Sequence, residues 1–155
     1  MTVRRAAPLV ILLLALAGVA FWYFTRPEPT DEQKIQALIN EARVAVERKN
    51  VSGLMRLISE DYLDKYGNDK RGLQRLVIAG AHSAEQYTVF PQVTNLKVKG
   101  DLAYLEMKTW LWVGDPATAP GQELNITAKL LREGKRWRVL SSYGWEEAEG
   151  GVMND

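Results

Sequence analysis

The hydrophobic positions of this chain follow three rhythms in succession, and the changes between them divide it. From Ala6 to Phe24 no residue is charged, nineteen positions in a row, with Arg4 and Arg5 before the run and Arg26 after it. A helix of that length rises roughly 28 Å, close to the thickness of a bilayer's hydrocarbon core. From Asp31 the period becomes 3.6. Ile35, Leu38, Ile39, Ala42 and Val46 fall on one helical face, with Gln36, Asn40, Arg43 and Glu47 opposite. A short second helix carries Leu54, Leu57 and Ile58, capped by Asn50 or Ser52. A polar, irregular stretch from Ser59 to Asn68 leads to a third helix near Asp69 with Leu73, Leu76, Val77 and Ala81 on one side.

Beyond Tyr87 the period drops to 2. Tyr87 to Lys99 reads as extended but interrupted at Pro91, which implies a bulge or a sheet edge. Gly100-Asp101 turns into a long strand from Leu102 to Val113, the proline-bearing stretch Asp115 to Gln122 is a loop, and strands Leu124 to Arg132 and Trp137 to Trp145 flank the tight turn Glu133-Gly134-Lys135. The expected fold class is α+β: three helices packed on one face of a curved antiparallel sheet, behind an N-terminal transmembrane helix. Residues 1–26 form the anchor, 27–30 a proline-stiffened linker, 31–145 the domain and 146–155 a flexible acidic tail.

Charge and composition narrow the functional classes. Apart from Arg4 and Arg5, 18 basic residues face 19 acidic ones, so the sequence offers no overall basic excess for a nucleic acid. Cys is absent and His82 is the single histidine, hence no disulfide framework, metal site or cofactor is expected. A cleaved signal peptide competes with the anchor, because Gly18-Val19-Ala20 resembles a cleavage exit, but Phe21, Trp22, Tyr23 and Phe24 fit an aromatic belt at a membrane surface better. Arg4 and Arg5 against Arg26 and Lys34 favour a cytoplasmic N-terminus, which puts the domain outside the cytoplasm on a single-pass inner-membrane protein.

The junction Arg48-Lys49-Asn50-Val51-Ser52-Gly53-Leu54, the stretch Ser59-Glu60-Asp61-Tyr62 and the closing Gly134-Lys135-Arg136-Trp137-Arg138-Val139 strand resemble the nuclear transport factor 2-like (SnoaL-like, cystatin-like) superfamily over roughly Asp31 to Trp145. The resemblance implies a sheet curved around the first long helix, leaving a conical pocket. It does not imply one activity, since this scaffold serves isomerases, dehydratases and many non-catalytic assembly domains. In isomerase-like members a tyrosine on the first helix donates to the oxyanion, and its counterpart here is Ala42. Their general base falls near Asp64, Lys65 or Tyr66, and dehydratase-like members add a histidine, which leaves Asp64, Tyr66 and His82 as pocket candidates. Against these stand plainer readings, Asp64 as a solvated loop carboxylate and His82 as helix-end surface chemistry.

Tyr104, Glu106, Lys108, Trp110 and Trp112 share one strand face, opposite Ala103, Leu105, Met107, Thr109, Leu111 and Val113. The second set is an ordinary core face. The first mixes aromatics with charges, as interfaces do, making Tyr104, Trp110 and Trp112 candidates for contact with a second copy or another protein. Two functions follow: a membrane-anchored, non-catalytic binding or assembly module, able to take a small apolar ligand, or a small-molecule isomerase or dehydratase working in the cone. Two convergent ionisable groups deep in the cone would mark the enzyme, and an apolar or closed cone the module.

Overall fold

A computed structural model describes residues 7–25, 27–83 and 85–145. The acidic tail read at 146–155 lies outside the described residues. Helix α1 (Ala7–Phe24) and the linker to Thr30 form one unit, and the chain from Asp31 onward forms another. In α1 the described side chains, Leu12 and 14–22, are all exposed, and its last turn is closed by Thr25, whose Oγ1 donates to Phe21 O at 2.7 Å. Among the described residues no helix is long and apolar enough to cross a membrane. The transmembrane helix expected at residues 1–26 is therefore not found among the described residues, although the uncharged run does fold as a helix.

The second unit runs α2 (Asp31–Glu47), α3 (Val51–Met55), α4 (Lys70–Ser83), then β1 (Tyr87–Lys99), β2 (Leu102–Val113), β3 (Gln122–Glu133) and β4 (Arg136–Tyr143). The strands form one antiparallel sheet in sequence order, a meander with β1 and β4 at its edges. This is the expected α+β arrangement of three helices followed by four strands. α2 lies over the sheet against β1 and β4, while α4 packs chiefly on α3. The main core joins Ile35, Leu38 and Ile39 of α2 to Ala103, Leu105, Ala128, Leu130 and Trp137 of the sheet. A second cluster, Met55, Ile58, Tyr62 and Leu73, fills the space among α3, α4 and the loop between them.

Local chemistry explains where the elements end. α2 stops because Lys49 adopts the left-handed conformation, φ 53°. Of the two caps expected for the second helix, Asn50 is the one used, accepting from Gly53 N at 2.9 Å. α3 is only one and a half turns, since Ile58 leaves the helix to bridge Val139 on the β4 edge. Pro91 does sit on an edge strand, but it pairs in register with Thr109, and the bulge falls between Val93 and Asn95. There Thr94 donates its hydroxyl to Glu106 O at 3.0 Å. On the open side of β1, Val89 N is capped by Glu47 Oε1 at 3.2 Å and Pro91 has no N–H to offer, so the edge is blunted against strand addition. β4 ends two residues earlier than expected. Gly144, at φ +98°, lies so close to Asn125 O that no side chain fits, and the chain turns there to lay Trp145 on the second cluster.

Candidate functional site

The concave side of the sheet is where a pocket would form, and it is mainly apolar. Around the main core stand Val93, Leu96, Val98, Met107 and Val139. Among the described residues the buried polar side chains are Ser59, Asp64 and Thr109. Ser59, wholly buried at the β4 edge, donates to Glu133 Oε1 at 2.6 Å and accepts from Asp61 N at 3.2 Å. Thr109 faces inward from β2 with its hydroxyl unpartnered, as is the indole N–H of Trp145. Both can hydrogen-bond a ligand or a water, but neither exchanges protons near neutrality. Tyr62, 2% exposed, places its hydroxyl 3.2 Å from Ser142 Oγ. Nothing in the sequence marked Tyr62 as interior, since Glu60 and Asp61 precede it and Asp64 and Lys65 follow after Leu63.

Asp64 is buried, 6% exposed, rather than solvated, which corrects the plainer reading of it. Its Oδ1 accepts from the backbone N–H groups of Tyr66 and Asn68, each at 2.9 Å, and its Oδ2 from Asn68 Nδ2 at 2.9 Å. Burial pushes this carboxyl up, but the hydrogen bonds from Asn68, Tyr66 and Gly67 outweigh burial and hold it below the usual carboxylate range. A base poised for proton abstraction needs the opposite shift. Asp64 is thus the staple of the loop that carries the chain from the β4 edge into α4. Asp64→Ala is expected to cost about 2 kcal/mol at neutral pH, the worth of hydrogen bonds to a charged acceptor. Because the folded-state pKa is depressed, that contribution is complete above the unfolded value near 4 and disappears as the pH falls through the folded one. Urea unfolding of wild type and Asp64→Ala should therefore converge at acid pH. A gap unchanged at low pH would mean that the charge is not what holds the loop.

The other two candidates point away from the cone. Tyr66 is 60% exposed and its ring takes Lys65 Nζ at 4.8 Å, the same ammonium that lies 5.1 Å from the Tyr143 ring. His82 is exposed near the C-terminal end of α4, where Nδ1–H donates to Ile78 O at 2.7 Å. From the Asp64 loop to His82 runs nearly the whole of α4, about 18 Å of helix rise. The structure joins Asp64 to the backbone of Tyr66 but does not bring His82 to them. Two surface clefts lie elsewhere, one between α2 and β1 beside Arg43 and Phe90, the other at the start of α4 beside Glu60 and Lys70. Arg43 is spent on Glu47 and Asn40, and Lys70 on Glu60 and Ile58 O. Among the described residues no group of His, Asp and Glu could hold a metal ion.

The convex side of the sheet is the more varied surface. The register places Phe90, Trp110 and Glu123 in one row across three strands, with Lys108 beside them paired to Glu123 at 3.0 Å. Phe90, 62% exposed, tilts against Trp110 with centroids 6.1 Å apart. Trp112 is half-buried beneath the β2–β3 loop, where a Cβ on Gly121 would lie 2.6 Å from its Nε1. Tyr104 is apart from these rings, six residues or about 20 Å along β2, and it stands between Lys97 and Lys129.

The chain matches no family model and no curated protein. Solved structures do match. One is a dehydratase-type protein of the NTF2-like family from Streptomyces avermitilis, 17% identical, TM-score 0.63, covering 72% of this chain and 93% of that one. A Thiobacillus denitrificans protein described as a calcium/calmodulin-dependent protein kinase type II association domain is 16% identical, TM-score 0.62, over 74% and 93%. A Novosphingobium aromaticivorans protein described as a scytalone dehydratase is 9% identical, TM-score 0.62, over 72% and 80%. At these identities the likeness is one of fold, and the fold is nuclear transport factor 2-like.

Proposed function

We propose that this chain is a membrane-anchored binding or assembly module, with a nuclear transport factor 2-like domain that turns over no substrate and associates through the convex face of its sheet. The observation that carries the reading is that Asp64 is consumed by its own loop while His82 and Tyr66 lie on the surface, so no two candidate acid–base groups converge on the mainly apolar core face. The fold alone is neutral, because the solved structures that share it include proteins described as dehydratases and one described as an association domain. The anchor is supported by the uncharged run Ala6 to Phe24, by its folding as the 18-residue helix Ala7–Phe24, and by the exposure of that helix's described side chains. Positive charge on both flanks, greater at the N-terminus, supports an extracytoplasmic domain on the inner membrane.

The test has two parts. The full chain should stay with membranes through carbonate and high-salt washes, and a chain starting at Pro29 should be soluble. Tyr66→Phe with His82→Ala should leave the phenotype of the wild-type gene intact. Release of the intact chain by washing would overturn the anchor, and loss of function in the folded double variant would restore the enzyme.

A further inference from the structure

The charge of the domain is not spread evenly. The two hairpin segments 97–101 and 129–138 contain seven basic residues against two acidic ones, whereas the rest of the chain after Arg5 has 11 basic and 17 acidic. About 30 residues separate them in sequence, but the register stacks them at one end of the sheet. Lys97, Tyr104 and Lys129 form one row across β1, β2 and β3, and Lys99, Leu102, Leu131 and Arg138 form the next. Lys129 Nζ sits 6.0 Å from the centre of the Tyr104 ring. Carboxylates at this end are already engaged: Arg132 holds Asp101 at 2.7 Å and Asp31 at 3.3 Å, and Arg138 holds Glu133 at 2.9 Å. Lys97, Lys99, Lys129 and Arg136 form no ion pair among the described residues. What results is a convex patch of cationic side chains around a half-exposed tyrosine.

The same end of the domain is where the chain enters it. Asp31, the first residue of α2, is bound there by Arg132 and by Trp137 Nε1 at 3.0 Å. Only residues 25–30 separate Asp31 from the end of α1, and six residues reach about 20 Å at full extension. With the apolar run lodged in a bilayer, this end cannot leave the neighbourhood of the headgroups.

We infer that the Lys97, Lys99, Lys129 and Arg136 patch binds anionic lipid headgroups, laying the domain on the membrane surface that its linker already confines it to. The inference rests on the anchored reading for its choice of ligand, since a patch of this charge free in solution would suit nucleic acid equally well. Each basic residue near an anionic surface favours it by about fivefold, within a range set by the Debye length of about 10 Å at 0.1 M salt. Tyr104 suits the headgroup layer, where amphipathic rings collect. The patch lies on the sheet face that carries Phe90 and Trp110 but at its other end, so both can be occupied at once.

The experiment uses the full chain in vesicles of phosphatidylcholine alone or with about 30% phosphatidylglycerol, enough to give the surface a negative potential. A membrane-impermeant amine reagent labels the lysines, and flotation after a salt wash reports the anchor. Labelling of Lys97, Lys99 and Lys129, relative to Lys65 and Lys108, should fall about tenfold in anionic vesicles at low salt and recover near 1 M, where screening is complete. Lys129→Glu with Arg136→Glu, both on the sheet surface, should restore labelling of Lys97 and Lys99 without unfolding the domain. Equal labelling in the two vesicles, with the chain floating in both, overturns the patch and leaves the anchor standing. Flotation with anionic vesicles only, reversed by salt, supports the patch and overturns the anchor. Protection by duplex DNA and not by anionic vesicles overturns the inference in favour of a nucleic-acid surface.

Discussion

Trp137→Ala is expected to lower the stability of a chain starting at Pro29 by about 3–5 kcal/mol, the usual loss for truncating a buried indole. Trp137 is 4% exposed in the main core, between α2 and the sheet. Three contacts end with it. Its ring is part of the cluster that joins α2 to the sheet, its Nε1 donates to Asp31, and the Arg132 guanidinium lies 5.7 Å from its ring. Removing the indole leaves a cavity at the point where α2, the β3–β4 hairpin and the Asp31–Arg132–Asp101 ion pairs meet. Domains of this size have about 5–15 kcal/mol in total, so the variant should sit near its unfolding threshold at 37 °C. Trp137→Phe separates the terms: it keeps most of the volume, loses the N–H, and should cost about 1–2 kcal/mol because Asp31 retains Arg132 and Lys34. Urea unfolding followed by circular dichroism decides it. A loss below about 1 kcal/mol for Trp137→Ala would mean that this junction does not hold the fold together.

What the sequence disclosed and what it hid follow from how far each contact reaches along the chain. Alternation in β2 is a local property of the pleat, and Ala103, Leu105 and Thr109 are buried while Tyr104, Glu106 and Lys108 are exposed, as the period requires. Ile35, Leu38 and Ile39 are buried for the same reason at helical spacing. Tyr62, Ser59 and Asp64 were illegible because their burial depends on the α3–α4 loop crossing the β4 edge, through the Ile58–Val139 bridge and Leu63 N to Leu140 O at 3.1 Å. No short window contains that crossing. The basic end of the sheet was hidden likewise: an even overall charge conceals two hairpin segments that only strand register brings together. As for the candidate site, the family resemblance put Asp64, Tyr66 and His82 in one group, and three-dimensional placement parts His82 from the other two.

The convex face yields the second large effect. Phe90→Ala with Trp110→Ala is expected to weaken self-association of the chain starting at Pro29 by at least about a hundredfold, the loss typical of removing two aromatic anchors from the centre of an interface. Phe90 and Trp110 stand side by side on adjacent strands, and Lys108 with Glu123 supplies a charged rim next to them. A patch on one sheet face can meet its own copy through a two-fold axis, each Trp110 packing near the partner's Phe90, so one surface suffices for both sides. Trp112 belongs to a different account. It is covered by the Gly121 turn of its own chain, hence Trp112→Ala should reduce stability more than association. The main core lies on the opposite face, so truncating Phe90 and Trp110 should leave unfolding cooperative. Sedimentation velocity across a wide concentration range measures the outcome. A wild-type domain that is monomeric at every concentration removes the second copy as occupant of this face, and an unchanged dimer in the Phe90→Ala, Trp110→Ala variant places the contact elsewhere.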